Sequence, residues 1–272
     1  MSSLSASLPS PCCLQGSELF DEPKGKTIEF ANVVTYQAGQ DYEKSSKVVL
    51  IFSDVFGLKL NNFRPLADSM AEQSGCTVLV PDLFDDRAMS PTVMSAPPTV
   101  SETKNYTWWD KIKANFSMLK MLLFNFVPFL LRHRPSSKMA LFDRLIETVP
   151  AHAKLGLAGY CYGAKPIWLA LTKHASRVDA CFIAHPSMST VKDLVDAPTR
   201  LSVAFAEADF VFPAANMQKV QAELKKRDDP PSEVVFYDDT QHGFAARPTA
   251  QTRPAFEKAL TQAAKWFAQW LA

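Results

Sequence analysis

The 272-residue chain carries almost no net charge, with 29 Lys and Arg against 28 Asp and Glu. That balance argues against a role for the whole molecule in gripping nucleic acid or coating a membrane. Cysteine is sparse: there are five, at positions 12, 13, 76, 161 and 181, an odd number with no C-x-x-C pair. Neither a disulfide framework nor a zinc ribbon fits, so a reducing compartment, the cytoplasm, is expected. Residues 1–16 lack a basic stretch ahead of a sustained apolar run and do not read as a secretory signal. A long apolar run is missing as well. The longest, Met118 to Leu131, is broken by Lys120, Asn125 and Pro128, whereas a span needs about 20 mostly apolar residues, so no integral membrane segment is expected. Internal repeats are absent, and no G-x-S-x-G occurs anywhere.

What the chain does have is apolar content of 47%, enough for a full-sized core. Short β-branched runs alternate with longer amphipathic stretches, the pattern of a mainly parallel sheet flanked by helices, in one α/β domain spanning 1–272. Strands are expected at 27–30, 33–37, 47–53, 76–80, 155–158, 178–184, 201–205 and 233–237. Helices are expected at 61–73, 106–126, 136–148, 164–172, 216–226 and 254–271. Residues 82–104, rich in Pro, Ser, Thr and Asp, read as a long loop. The segment 85–135 therefore reads as an insertion, and between 104 and 134 it holds six Lys or Arg against Asp110 alone.

The informative stretch is Leu155 to Lys165, an apolar strand followed by Gly159-Tyr-Cys161-Tyr-Gly163 and a helix. This is a strand-to-helix nucleophile elbow with cysteine in the serine position. Small residues at 159 and 163 suit so tight a turn, and the helix N-terminus favours a thiolate at Cys161. Such an elbow requires an acid and then a histidine, each on a loop after a later strand. Asp209 follows the strand at 201–205, and His242 follows the strand at 233–237. Glu207, Asp238 and Asp239 are alternative acids, with Asp209 preferred for its position. In this arrangement Cys161 attacks an ester carbonyl, His242 handles the proton and Asp209 fixes the imidazole tautomer, without metal or cofactor. The oxyanion needs two backbone N–H donors. One is expected at Tyr162 and the other at Val55 or Phe56, on the loop after the strand at 47–53.

With these residues in place, the sequence resembles the dienelactone hydrolase (carboxymethylenebutenolidase) family. The likeness also rests on Cys-Cys-Leu-Gln-Gly at 12–16, similar to fungal members, Asp-Val-Phe-Gly-Leu at 54–58, Val-Pro-Asp-Leu-Phe at 80–84, Ala-His-Pro-Ser at 184–187, Ala-Glu-Ala-Asp at 206–209 and His-Gly-Phe at 242–244. The resemblance implies an α/β-hydrolase fold with a helical, lid-like insertion, and a Cys161, Asp209, His242 triad. It implies that Asp54, where bacterial members carry Glu, gates the thiol. It also implies that Arg87 and Arg247, each one residue further along than in the bacterial pattern, bind a substrate carboxylate. Trp108 and Trp109 in the insertion, with Phe56, Tyr160 and Phe244 beside the site residues in the chain, complete the expected substrate-binding set. The expected activity is hydrolysis of a small lactone or ester by a monomer or homodimer. Ring opening or closing, or thioester cleavage, with the same triad is an alternative, and a non-catalytic ligand-binding member of the fold is another.

Overall fold

A computed structural model describes residues 22–93 and 99–272. Cys12, Cys13 and the 12–16 motif, together with Pro97 and Pro98 of the expected loop, lie outside the described residues. Eight strands form one sheet: β1 (Lys26–Phe30), β2 (Val33–Ala38), β3 (Lys47–Phe52), β4 (Thr77–Pro81), β5 (Lys154–Tyr160), β6 (Ala180–Ala184), β7 (Arg200–Ala208) and β8 (Ser232–Gln241). Their order across the sheet is β1-β2-β4-β3-β5-β6-β7-β8. The β1–β2 and β2–β4 pairs are antiparallel, and every pair from β4–β3 onward is parallel.

Parallel strands are covered on both faces, which is why β3 and β4 read as unbroken apolar runs and are buried along almost their whole length. On one face lie α1 (Phe63–Ser74) and α9 (Arg253–Trp270), whose Phe63, Leu66, Phe256, Leu260 and Phe267 meet Val49, Ile51 and Val78 of the sheet. The other face is covered by α5 (Met139–Thr148), α6 (Ala164–His174) and α8 (Ala214–Leu224), through Phe142, Ile146, Ile167, Met217 and Val220. The short α7 (Val191–Val195) adds Leu194 on that side.

The segment expected as a loop at 82–104 contains more structure than its composition suggests. Pro91–Val93 forms a 3₁₀ turn, and α2 (Val100–Lys104) starts on a capping box in which the Thr99 hydroxyl accepts the Glu102 N–H while the Glu102 carboxylate accepts the Thr99 N–H. Beyond it, α3 (Trp108–Met121) runs through a π turn (Leu122–Phe126) into α4 (Val127–Arg132). The insertion is thus helical, as expected. From Trp108 to Lys120 every side chain described is exposed except the half-buried Asp110, and the helix contacts mainly the π turn that follows it.

Candidate active site

The elbow is visible in the backbone. Cys161 adopts φ +52°, a left-handed conformation that a non-glycine residue takes only when its surroundings impose it. What imposes it is the packing of β5 into α6. A Cβ on Gly163 would lie 1.9 Å from the Phe52 carbonyl oxygen of β3, and one on Gly159 would lie 2.9 Å from the Gly163 carbonyl oxygen. With both positions stripped to hydrogen, the chain turns sharply and lifts Cys161 to the C-terminal edge of the sheet, where it stays partly exposed. The other two cysteines described, Cys76 and Cys181, are buried, and burial pushes both thiols upward in pKa.

The residues predicted to join Cys161 arrive from the ends of neighbouring strands. Asp209 directly follows β7, and its carboxylate accepts N–H hydrogen bonds from Val211 (2.7 Å) and Phe212 (3.1 Å). Its second oxygen lies 2.7 Å from His242 Nδ1, and His242 Nε2 lies 3.1 Å from Cys161 Sγ. Burial disfavours the charged imidazole, but the Cys161 and Asp209 charges outweigh it and push the His242 pKa upward. The alternative acids fall elsewhere: Glu207 accepts the Asp239 N–H (2.7 Å), Asp239 in turn accepts the Ser101 N–H (2.7 Å), and Asp238 is exposed.

On the loop after β3, the Asp54 carboxylate accepts the Phe56 N–H at 2.9 Å, so of the two candidate oxyanion donors Val55 is the one not spent on that contact. The Phe56 ring lies under the Arg247 guanidinium, 4.9 Å from it, and Arg247 Nε is 4.0 Å from Asp54 Oδ2. Asp54 is therefore turned toward Arg247 and its own loop. It makes no hydrogen bond to Cys161 Sγ, and the expected thiol gating gives way to an ion pair with an arginine, as befits a side chain one methylene shorter than Glu. Burial raises the Asp54 pKa to about 6, despite the lowering effect of Arg247. Arg247 itself is 5% exposed and near enough to Cys161 for its charge to register there.

Among the remaining expected substrate contacts, the structure corrects Tyr160, Phe244, Trp108 and Trp109. Tyr160 is buried on the opposite side of the sheet, edge-on to Phe63 of α1, because its neighbour Cys161 begins the turn and strand alternation sends Tyr160 the same way as Ala158. Phe244 is fully buried against Tyr237 and His185 and supports the site from behind. Arg87 is exposed and makes no ion pair among the described residues. Trp108 and Trp109 are 66% and 63% exposed and pack edge-on to each other, so they wall no pocket.

Sequence reasoning missed three neighbours. Ser187 lies with its hydroxyl 3.6 Å from Cys161 Sγ, and its N–H donates to the Cys161 carbonyl (3.1 Å). His185, at φ +35°, is fully buried and edge-on to His242 at 5.2 Å between centroids. Neither of its ring nitrogens finds a hydrogen-bond partner among the described residues, and burial together with the charges of His242 and Arg247 holds its pKa well below the usual value, so the ring is neutral. Both residues belong to the Ala-His-Pro-Ser motif at 184–187, which was the available signal. His133 is the third. It sits against Phe84 and Phe129, and its carbonyl accepts the Tyr162 hydroxyl (2.7 Å), tying the root of the insertion to the residue after Cys161.

Known proteins carry the same arrangement of the chain. A hydrolase from Aspergillus violaceofuscus, pyvD, is 26% identical over 97% of both chains, and a human carboxymethylenebutenolidase homolog is 24% identical over 97% of this chain and 96% of its own. Among solved structures, a dienelactone hydrolase from Anabaena variabilis superposes with a TM-score of 0.54 at 14% identity, covering 92% of this chain and 99% of that one. Carboxyl esterase 2 from Tuber melanosporum gives 0.56 at 13% identity, over 94% and 90% respectively, so the α/β-hydrolase fold is shared well beyond the reach of sequence. The dienelactone hydrolase family profile matches residues 33–271, which takes in β2 through α9 and all the strand ends described above. The chain belongs to the dienelactone hydrolase family, and with it to the hydrolases of ester bonds.

Proposed function

We propose that this enzyme hydrolyses a small lactone or ester that carries a carboxylate, through a Cys161 thiolate nucleophile. The observation that carries the reading is the line Cys161 Sγ, His242, Asp209, with separations of 3.1 and 2.7 Å, at the exposed edge of the parallel sheet. His242 takes the thiol proton, and Sγ attacks the carbonyl carbon. The tetrahedral oxyanion is received by the N–H groups of Val55 and Tyr162. Collapse expels the alkoxide, which leaves with the proton returned by His242, and an acyl thioester remains on Cys161. Water, deprotonated by His242, then attacks that thioester; the carboxylic acid departs and Sγ regains its proton. Asp209, held by two backbone N–H groups, keeps Nε2 directed at sulfur throughout.

Arg247 supports the carboxylate preference, since its guanidinium sits beside the site with Phe56 beneath it and Asp54 as countercharge. The test is the hydrolysis of an activated aryl ester by wild type, Cys161→Ala and His242→Ala, each checked for an unchanged circular dichroism spectrum. Both variants are expected to lose on the order of 10³-fold or more in kcat/KM. Retention of most activity by either removes that residue from the mechanism.

A further inference from the structure

The most unusual surface of the molecule is α3. Of the large apolar side chains exposed among the described residues, most lie between 108 and 131, including Trp108, Trp109, Ile112, Phe116 and Leu119. At 100° per residue these five fall within an arc of about 100°, a continuous apolar stripe. Lys111 lies beyond one edge of the stripe, and Lys113 and Lys120 lie beyond the other. A 14-residue helix on its own is marginal in water, and this one has few of the described residues packed on it.

We propose that α3 lies in the plane of an anionic lipid surface, its stripe sunk among the acyl chains and its lysines at the headgroups. Charge selects this occupant. The region from 104 to 134 carries five more positive than negative side chains, so a second copy laid along it meets its own repulsion, whereas acidic headgroups neutralise it. Nucleic acid would satisfy the lysines but offers nothing to Ile112 and Leu119. Two adjacent tryptophans at one end of the stripe suit the boundary between headgroup and hydrocarbon. No described helix is long and apolar enough to cross a membrane, which is consistent with an in-plane arm. The arm is rooted through Phe129, which is 6% exposed and packs against Phe84 and Tyr162.

The experiment is co-sedimentation of the full chain with vesicles of phosphatidylcholine alone and of phosphatidylcholine mixed with phosphatidylserine, across a salt series, with tryptophan emission recorded in parallel. The expected result is binding to the mixed vesicles only, a blue shift on binding, and release by salt. Lys111→Glu, Lys113→Glu and Lys120→Glu combined should lower partitioning roughly a hundredfold or more. Ile112→Ser, Phe116→Ser and Leu119→Ser combined should abolish the blue shift while leaving the circular dichroism spectrum unchanged. Wild type that stays in the supernatant with both vesicle types overturns the proposal, as does equal binding with and without phosphatidylserine. Wild type that ignores vesicles but dimerises, with dimerisation lost in the serine variant, assigns the stripe to a second copy instead. Retention on single-stranded oligonucleotide without vesicle binding assigns it to nucleic acid. Because the readout is sedimentation, these outcomes are independent of whether Cys161 is the nucleophile.

Discussion

Asp54 and Arg247 share a buried space in which the charge of one decides what the other offers. Burial holds the Asp54 pKa at about 6, with Arg247 and the Phe56 N–H pulling it the other way. Above that pH the aspartate is charged and counters Arg247; below it, Asp54 takes up a proton and Arg247 loses that countercharge. A substrate carboxylate should then be drawn to Arg247 more strongly as pH falls. The expected outcome is a KM for a carboxylate-bearing ester that falls about tenfold relative to that of a neutral ester of the same size as pH drops through this range, a change worth one charge-assisted hydrogen bond. Taking the ratio of the two KM values cancels any pH dependence that both substrates share. In Asp54→Asn the ratio should be flat with pH. A ratio that moves as much in the variant as in wild type would remove Asp54 from this role. The three residues of the Cys161, Asp209, His242 line were legible as candidates because chain order and strand context constrain them together. Tyr160 and Phe244 were misread because proximity in the chain says nothing about which face of the sheet a side chain takes. Two-residue alternation carried that information for Tyr160.

At the scale of elements, the elbow is held mainly by the near-contact of backbones, with the Ile167 side chain also close against Gly159. Gly163 is pressed against the Phe52 carbonyl of β3, a neighbour that cannot swing aside without breaking the β3–β5 ladder. Gly163→Ala should therefore destabilise the protein by about 3 kcal/mol or more, by the cost of overpacking against an unyielding backbone. A thermal melt reads this directly, and an unchanged midpoint would show that β3 can retreat. The strands and longer helices were legible because each carries enough residues for its period to show: the expected strand at 47–53 is β3, and of the apolar face that the spacing gives α9, Phe256, Leu260, Ala263 and Phe267 are buried while Trp270 is half-buried. The five-residue helices α2 and α7 were not, since each is shorter than two turns and shows too little periodicity. Each nevertheless opens on a Thr-x-x-acid capping box, Thr99 with Glu102 and Thr190 with Asp193, which was the readable signal. β7 and β8 run past their apolar runs because edge pairing continues through polar residues, with a register shift between Ala206 and Ala208 just before Asp209.

For the molecule as a whole, near-neutral net charge conceals an uneven distribution of both charge and stability. The sheet with its two helical layers is a close-packed body in which most strand residues are fully buried, so opening it requires breaking the core on both faces. α3 shares little of that protection: its described side chains are exposed apart from the half-buried Asp110, and its loss would uncover little apolar surface among the described residues of the body. Local opening of α3 should thus cost far less than global unfolding, and a protease acting on opened states should find it first. Lys111, Lys113 and Lys120 supply three tryptic sites along it. The expected outcome of brief trypsin treatment of the native enzyme is a first cut within 104–134, identified by mass spectrometry, with both fragments remaining associated and the thermal midpoint of the nicked body nearly that of the intact chain. Phe129, packed between Phe84 and Tyr162, is the reason the fragments should stay together: it anchors the distal end of the insertion into the core, so a cut at any of the three lysines leaves each half with its own attachment. First cuts outside this segment, or collapse of the body on nicking, would mean that α3 contributes to global stability in a way its exposed side chains do not account for.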